Sequence, residues 1–412
     1  ILFYTGTSPI ELHPYAIGRM YQIAESNDGA LFYSDYQEIR QGKKIHHPTL
    51  EYQTGSIRND FDFGQLLLFR NDSFQQVVAQ MNTDYRFAAL YELRLSISRL
   101  GKIVHIPETL YTVQPTDLRL SGEKQFDYVD PANREVQLEM EAVCTAHLQA
   151  IGAWLAPEFQ RIDFGQENFA REVSVIIPVR NRKRTIAEAV ESALQQQTDF
   201  SFNVIVVDNH STDGTGQILT ELSRRYPNLI HHIPASTELG IGGCWTEAIL
   251  LPECGKFAIQ LDSDDLYKDC HVLQRIVDTF YQENCAMVIG SYQMVDFKLE
   301  EIPPGLIAHR EWTPDNGRNN ALRINGLGAP RAFYTPVLRQ IKFPNVSYGE
   351  DYATALAISR KYPIARIYDP LYLCRRWEEN SDHDLDIQQL NNYNFYKDKI
   401  RTLEIQARIS GK

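Results

Sequence analysis

Phe257–Leu266 reads FAIQLDSDDL, a short apolar run that ends in three carboxylates, Asp262, Asp264 and Asp265. A run of this length is a candidate buried strand. In an open α/β sheet, a strand delivers its C-terminal residues to the edge where such sheets bind ligands. Carboxylates this close repel one another unless a proton or cation lies between them. A hard divalent cation held by few protein oxygens keeps coordination positions for substrate phosphates. The stretch therefore reads as a site for a metal ion and a diphosphate, and the segments before it set the fold.

Working upstream, Val173–Pro178 (VSVIIP) is a continuous apolar run, as in a strand covered on both faces. The basic loop Arg180–Arg184 follows. A helix then starts at Thr185, with Glu188 at capping-box spacing and Ile186, Val190 and Leu194 along one side. Asn203–Asp208 (NVIVVD) is a second strand, and Asp213 caps a helix through Ile218, Leu219 and Leu222. Leu229–Ile233 and Phe257–Asp262 complete four strands. Strands alternating with helices predict an α/β, mostly parallel sheet with flanking helices.

The chain has 412 residues, enough for two or three domains, and its 43% apolar and 23% charged content is that of a globular protein. A formal net charge of −12 argues against a nucleic-acid partner, which needs a basic field. No apolar run reaches the roughly 18 residues of a membrane span, and no charged-then-apolar leader opens the chain. The first residue is Ile1, which reads as a trimmed or partial chain. Six cysteines without CxxC spacing read as reduced thiols of a cytosolic protein rather than a metal site.

A helix over about Arg134–Leu155, with Val136, Met140, Val143, Ala146 and Ile151 as its apolar stripe, precedes this unit as a connector. Before it lies an internal echo. SISRLGKIVHIPETLY from Ser96 parallels AISRKYPIARIYDPLY from Ala357, with Ile97 opposite Ile358 and Tyr111 opposite Tyr372, a constant offset (358 − 97 and 372 − 111, both 261). At that offset Gly349-Glu350-Asp351 falls on Ala88-Ala89-Leu90, so the first copy lacks both acids. The acid- and aromatic-rich Gly55–Gly64 is read as a loop entering the strand Leu66–Phe69.

Four positions converge at strand ends: Pro178–Asn181, Asp208, Gly240–Gly243 and Asp262–Asp265. Asp208 sits where a carboxylate accepts hydrogen bonds from a base or ribose, whereas Asp213 reads as a helix cap. The loop LGIGGC (Leu239–Cys244) permits close backbone approach to a ligand. Taken together, VSVIIPVRN, VVDNHSTDG, LGIGG, LDSDD and GED, in this order and rough spacing, resemble the family-2 glycosyltransferases with the GT-A fold. The resemblance covers about Glu172–Ser381.

That resemblance implies a nucleotide-diphosphate sugar donor, a Mn²⁺ or Mg²⁺ ion, inversion at the anomeric carbon, and a carbohydrate or lipid-linked acceptor in glycan or polysaccharide biosynthesis. It implies that Pro178, Arg180 and Asn181 line the nucleotide pocket and that Asp208 contacts the base. Gly240 joins the donor site, Asp262 lies on the ribose side as a further metal-site carboxylate, Asp264 binds the metal, and Asp351 is the general base. Arg375 and Arg376 are candidates for the departing diphosphate. Three departures stand out. Arg180 replaces a common aromatic, Cys244-Trp245-Thr246 replaces an Arg-Asn pair, and Trp377 stands where a histidine is frequent, with His383 as a substitute. Leu373 occupies the place of the glutamine in the processive-synthase motif, which argues against a processive enzyme.

The domains expected are a partial GT-A-like copy over 1–130, a helical connector over 131–170 and a catalytic domain over 171–412. The location expected is cytoplasmic, and peripheral association with the inner membrane face is compatible with it. Two alternatives remain at this point. One is a sugar-1-phosphate nucleotidyltransferase, against which PVRNRKR offers no glycine-rich loop. The other is a non-catalytic module that binds nucleotide-sugar or glycan.

Overall fold

A computed structural model of the chain describes residues 1–82, 84–114, 133–165, 167–377 and 385–411, so His383 lies outside the described residues. The chain divides into two compact units. The first comprises Ile1–Leu155, Leu322–Asn325 and Asp384–Lys412, and the second Ala156–Ala321 and Gly326–His383. This division differs from the expected one: residues 156–170 of the expected connector fall in the second unit, and Leu322–Asn325 of the expected catalytic domain fall in the first. The helix expected as a separate connector, and the C-terminal helix Ile387–Ile409 expected in the second domain, both belong to the first unit.

The first unit contains strands β1 (Leu2–Tyr4), β2 (Ile10–Leu12), β3 (Gly29–Arg40), β4 (Lys43–His47), β5 (Leu66–Phe69) and β6 (Lys102–Val113). Its helices include α1 (Ala16–Ser26), α2 (Asn71–Val78), α3 (Ala89–Leu100) and α4 (Arg134–Ala150). The strand order is β1-β5-β3-β6-β2, with β4 on β3. Helix α4 ends before Gly152, whose φ of 73° takes the chain out of helical geometry. Its buried face is Gln137, Val143, Cys144, His147 and Leu148, rotated from the expected stripe, and Ala146 is exposed. Gln137 is drawn inward because its Oε1 accepts from Arg323 at 2.6 Å. Gly55–Gly64 is structural. Phe61 and Phe63 pack on Tyr33 in the core, and Ser56 and Arg58 bind Asp398 of the C-terminal helix.

The second unit holds β7 (Val173–Val179), β8 (Phe202–Asp208), β9 (Leu229–His232), β10 (Phe257–Gln260), β11 (Leu266–Tyr267), β12 (Met287–Val295), β13 (Glu301–Ile307), β14 (Arg331–Tyr334) and β15 (Ile364–Arg375). The helices between them are α5 (Ile186–Leu194), α6 (Thr215–Arg225), α7 (Ile241–Leu250), α8 (Val272–Glu283), α9 (Gly317–Asn320), α10 (Thr335–Ile341) and α11 (Glu350–Ser359). The strand order is β11-β15-β12-β14-β10-β7-β8-β9, with β13 on β12. β10, β7, β8 and β9 are parallel, and β14 runs antiparallel between β10 and β12. The central strands are mostly apolar because both faces are covered. Val175, Ile176, Ile177, Ile205, Val206 and Ile259 have no exposed surface, and each contributes about 1.5–3 kcal/mol by burial. The chain leaves β7 toward β8 on one side and later returns to β10 on the other. This reversal of strand order opens a crevice at the strands' C-terminal ends.

The two units share one pairing scheme. In the first, Leu31 and Phe32 lie between Ile103 and Val104 on one side and Phe69 and Leu68 on the other. In the second, Met287 and Val288 lie between Ile364 and Ala365 and between Phe333 and Ala332. Helix α3 begins at the position that matches the start of α11, and β1 pairs with β5 as β10 pairs with β14. The echo seen over sixteen residues thus extends over the elements from β1 to β6.

Candidate active site

The crevice is floored by the ends of β7, β8 and β10. Pro178 pairs with Val207 and Val179 with Asp208, so the expected nucleotide-side residues follow directly from two adjacent strands. Asn181 adopts a φ of 55°, and its backbone N–H donates to Ser211 Oγ at 2.9 Å while its Oδ1 accepts from the Thr212 N–H at 2.8 Å. Asn181 therefore stitches the two loops together, and its neighbour Arg180 is exposed. Asp213, expected to cap α6, stands one residue before the N-cap Gly214 and accepts from the backbone N–H groups of Thr215 and Lys183, both at 2.9 Å, so it ties the start of α6 to the Arg180–Arg184 loop.

Asp208 is buried, and burial alone would raise its carboxyl. Hydrogen bonds from His231 (3.3 Å) and the Ser211 N–H (2.9 Å) outweigh that and hold it below the ordinary carboxylate range. It is thus an ionised acceptor whose oxygens already brace the β8 loop.

The glycine loop differs from its reading. Gly240 caps α7, and a Cβ there would lie 2.6 Å from the Val346 carbonyl carbon. A Cβ on Gly242 would lie 2.0 Å from the Pro344 oxygen, and one on Gly243 2.2 Å from Asn345 Oδ1. The three glycines admit the chain's own segment Pro344–Val346 rather than a ligand. Gly240 N–H donates to Asn345 Oδ1 at 2.8 Å, which seats this segment just before α11.

The carboxylate cluster sits beyond β10. The Asp262 N–H donates to the Tyr372 hydroxyl at 2.8 Å, and Asp262 Oδ1 accepts from Gln260 Nε2 at 2.8 Å. Asp264 accepts from Trp377 Nε1 at 3.1 Å, with Arg182 Nε 3.7 Å away. Burial, and then the charge of Asp262, push the Asp264 carboxyl up. Asp265 is fully buried, and burial followed by the charges of Asp264 and Asp262 raise it far above the carboxylate range, although it accepts from the Arg375 N–H at 2.8 Å.

Arg375 is placed otherwise than expected. Its side chain is 1% exposed, donates to the Asp264 carbonyl and to Glu188, and lies over the Phe297 ring. It holds the carboxylate loop in shape instead of facing a diphosphate. This also explains why the capping box at Thr185 does not form: α5 has no side-chain cap bond because Glu188 is paired with Arg375. The half-buried Arg376 donates its backbone N–H to the Val295 carbonyl at 2.9 Å. Arg182, 3.7 Å from Asp264, and Arg184 stand beside Trp377. Both lie against the Trp377 ring, at 5.7 and 5.5 Å from its centre, and Arg184 also covers Phe297 at 4.1 Å.

Asp351 starts α11 and is ion-paired with Arg331 of β14. Arg331 Nε donates to Gln260 Oε1 at 2.8 Å. Sequence reasoning missed Arg331, Gln260 and the pairing of Arg182 with Trp377. The one available signal was Gln260, a polar residue in an otherwise apolar strand, which must find a partner when buried.

The donor set suits a small, hard cation. It offers carboxylate oxygens, and burial followed by the charge of Asp262 disfavours the ionised Asp264, a cost that a divalent ion would relieve. Among the described residues no three His, Cys, Asp or Glu side chains gather around one point.

Residues 174–341 match the family model described as glycosyl transferase family 2. An uncharacterized glycosyltransferase of Nostoc sp. is 32% identical over 125 residues, 30% of this chain and 38% of that protein. A poly(ribitol-phosphate) beta-glucosyltransferase of Bacillus spizizenii is 24% identical over 232 residues, 55% of this chain and 35% of that protein. A Bacillus subtilis glycosyltransferase named for teichuronic acid biosynthesis is 26% identical over 195 residues, 47% and 74% of the two chains. The chain thus spans well under half the length of the first two relatives. Among solved structures, S. aureus TarS 1–349 with UDP-GlcNAc aligns at 22% identity and a TM-score of 0.44 over 57% of this chain and 72% of that one.

Proposed function

We propose, because residues 174–341 match the glycosyl transferase family 2 model, that this chain transfers a sugar, with inversion, from a nucleotide-diphosphate donor to a carbohydrate or lipid-linked acceptor. The observation that carries this reading is the pairing of a repelling carboxylate cluster at the end of β10 with a separate carboxylate, Asp351, that reaches it through bonded side chains. Relatives named for poly(ribitol-phosphate) and teichuronic acid support a role in polysaccharide synthesis.

In this reading Pro178, Arg180, Asn181 and Asp208 border the nucleotide, with Asp208 kept ionised as an acceptor. Asp264 and Asp262 would hold Mn²⁺ or Mg²⁺, and a bound ion supplies charge neutralisation at the departing diphosphate. Arg182 and Arg184, pinned by Trp377 and Phe297, offer guanidinium donors to the same oxygens. Asp351 takes the proton of the acceptor hydroxyl as that oxygen attacks the anomeric carbon.

Nucleotide release from UDP-glucose, UDP-GlcNAc and GDP-mannose, with and without Mn²⁺, tests the activity, and the anomeric configuration of the product tests inversion. Asp351→Asn is expected to abolish turnover while leaving UDP binding intact. Wild-type turnover by this variant refutes the base assignment.

The described residues include no helix long and apolar enough to cross a membrane. Peripheral association with the inner membrane face, through a lipid-linked acceptor, belongs to the proposed reading.

A further inference from the structure

We propose that Arg331 and Gln260 form a positioning relay that ties the base Asp351 to the metal-site carboxylate Asp262. The inference rests on the reading of Asp351 and Asp262 given above and deepens it.

The relay has three links. Arg331 pairs with Asp351 through its Nη1. Its Nε donates to Gln260 Oε1 at 2.8 Å, and its backbone N–H donates to the same oxygen at 3.2 Å. Gln260 Nε2 then donates to Asp262 Oδ1 at 2.8 Å. An arginine has donors only and a carboxylate acceptors only, so the amide of Gln260 has one orientation that satisfies both, oxygen toward Arg331 and nitrogen toward Asp262. Both ends of the relay are charge-assisted, which makes them the stronger kind of hydrogen bond. Gln260 is 5% exposed, so it has no water to turn to if a link is broken. The group that takes the acceptor proton and the group that holds the donor are therefore set against each other by one bonded chain across β10 and β14.

The first unit provides an internal control. Its matching strand registers place Phe3 where Gln260 stands, and continuing that register places Thr5 and Thr7 where Asp262 and Asp264 stand. One residue beyond the Leu68 and Ala332 match, Leu67 stands in place of Arg331, and Leu90 stands in place of Asp351. The copy nevertheless keeps framework residues in register, with Tyr36 for Tyr292, Gln37 for Gln293 and Tyr111 for Tyr372. A relay that served only to hold the fold would be needed in both units. Arg331 and Gln260 are instead absent together with the three carboxylates of the site.

The test uses the full chain with Arg331→Leu, Arg331→Lys, Gln260→Leu and Asp351→Asn, on whichever of UDP-glucose, UDP-GlcNAc or GDP-mannose the wild type turns over fastest. Misplacing a catalytic group by about 1 Å costs roughly 100-fold in rate. Arg331→Leu and Gln260→Leu are thus expected to lower kcat by about 30- to 100-fold with donor KM within about threefold, and Arg331→Lys to recover part of the loss. The Arg331→Leu/Gln260→Leu double variant should be no slower than the worse single one, as expected of one chain. Wild-type kcat in Arg331→Leu, beside an inactive Asp351→Asn, overturns the relay and leaves the base assignment standing. An active Asp351→Asn overturns both.

A donor-independent measurement accompanies these. Arg331→Leu and Asp351→Leu should each lower the melting temperature, and the pair together should restore it toward wild type, as Leu67 and Leu90 coexist in the copy. Strictly additive losses overturn the pairing.

Discussion

Asp264→Asn is expected to raise the melting temperature of the metal-free protein and to remove its response to Mn²⁺. The Asp264 side chain is 13% exposed, and burial and the Asp262 charge both disfavour its ionised form. Two like unit charges a few ångströms apart in an effective dielectric near 20 repel by roughly 2–4 kcal/mol. Arg182, 3.7 Å away, acts in the opposite direction with comparable size, and its 23% exposure lets solvent weaken that attraction. The remainder, with the cost of burial, leaves a net penalty on the order of 1 kcal/mol for the ionised aspartate, or about 2–4 °C in a domain of this size. Asparagine keeps the shape and can still accept from Trp377, so the penalty goes without a new cavity.

The pH dependence has a definite sign. A carboxyl raised in the folded state is neutral, and harmless, at low pH, and the stability it leaves intact there is lost as pH rises through its folded value. The gap between variant and wild type should therefore close at low pH and open toward neutrality. Mn²⁺ at 100 times its dissociation constant stabilises a protein that binds it by about 2.7 kcal/mol. Wild type should gain that in a thermal melt, and the variant should not. A variant that melts below wild type in EDTA, or that responds equally to Mn²⁺, refutes the account of this corner.

Two further outcomes follow from packing and charge. Gly242→Val places a Cβ 2.0 Å from the Pro344 oxygen and 2.9 Å from Glu350 Cβ, so it should cost about 1–3 kcal/mol or more and lower turnover by displacing the start of α11, read out by thermal melts and by nucleotide release. His47 in the first unit is lifted to about 9 because Asp62 and Glu38 outweigh the opposing effect of burial. Its stabilising pairs are complete below the ordinary imidazole value near 6.5 and are lost as pH rises through about 9. His47→Gln should therefore cost on the order of 2–3 kcal/mol at about pH 6 and little at about pH 10, as followed by denaturant unfolding across that range.

The strands of the second unit were legible because burial on both faces leaves an unbroken apolar run, and VSVIIP, NVIVVD and FAIQ all have it. The carboxylates at their ends were legible because nothing but a ligand or a proton relieves so close a set. What the sequence concealed were residues whose partners lie far along the chain. Glu188 had ideal capping-box spacing, yet a buried arginine 187 positions away took its carboxylate. The stripe on α4 was misplaced by the polar link between Gln137 and Arg323. The glycines after Leu239 promised space for a ligand, and Pro344–Val346 fills it. Arg331 carries no local signature at all, and its meaning lies in what β14 places it beside.

The first unit separates what this fold requires from what its chemistry requires. Tyr372 accepts the N–H of Asp262 at 2.8 Å and so braces the carboxylate loop, whereas its counterpart Tyr111 accepts the N–H of Gln65, just before β5, at 2.7 Å. The tyrosine is kept in both units, and its partner differs where the acids are missing. The acids themselves are a burden to the folded chain, since Asp264 and Asp265 are held above their ordinary range by burial and mutual repulsion. Replacing such acids relieves that burden, and Thr5, Thr7 and Leu90, at the positions matching Asp262, Asp264 and Asp351, are small or apolar substitutes of the kind expected. The same reasoning fixes the sign predicted for Asp264→Asn. On the proposed reading, the second unit tolerates a repelling cluster because a bound ligand offsets it, and the proposed relay through Gln260 and Arg331 links that cluster to Asp351 through hydrogen-bonded side chains.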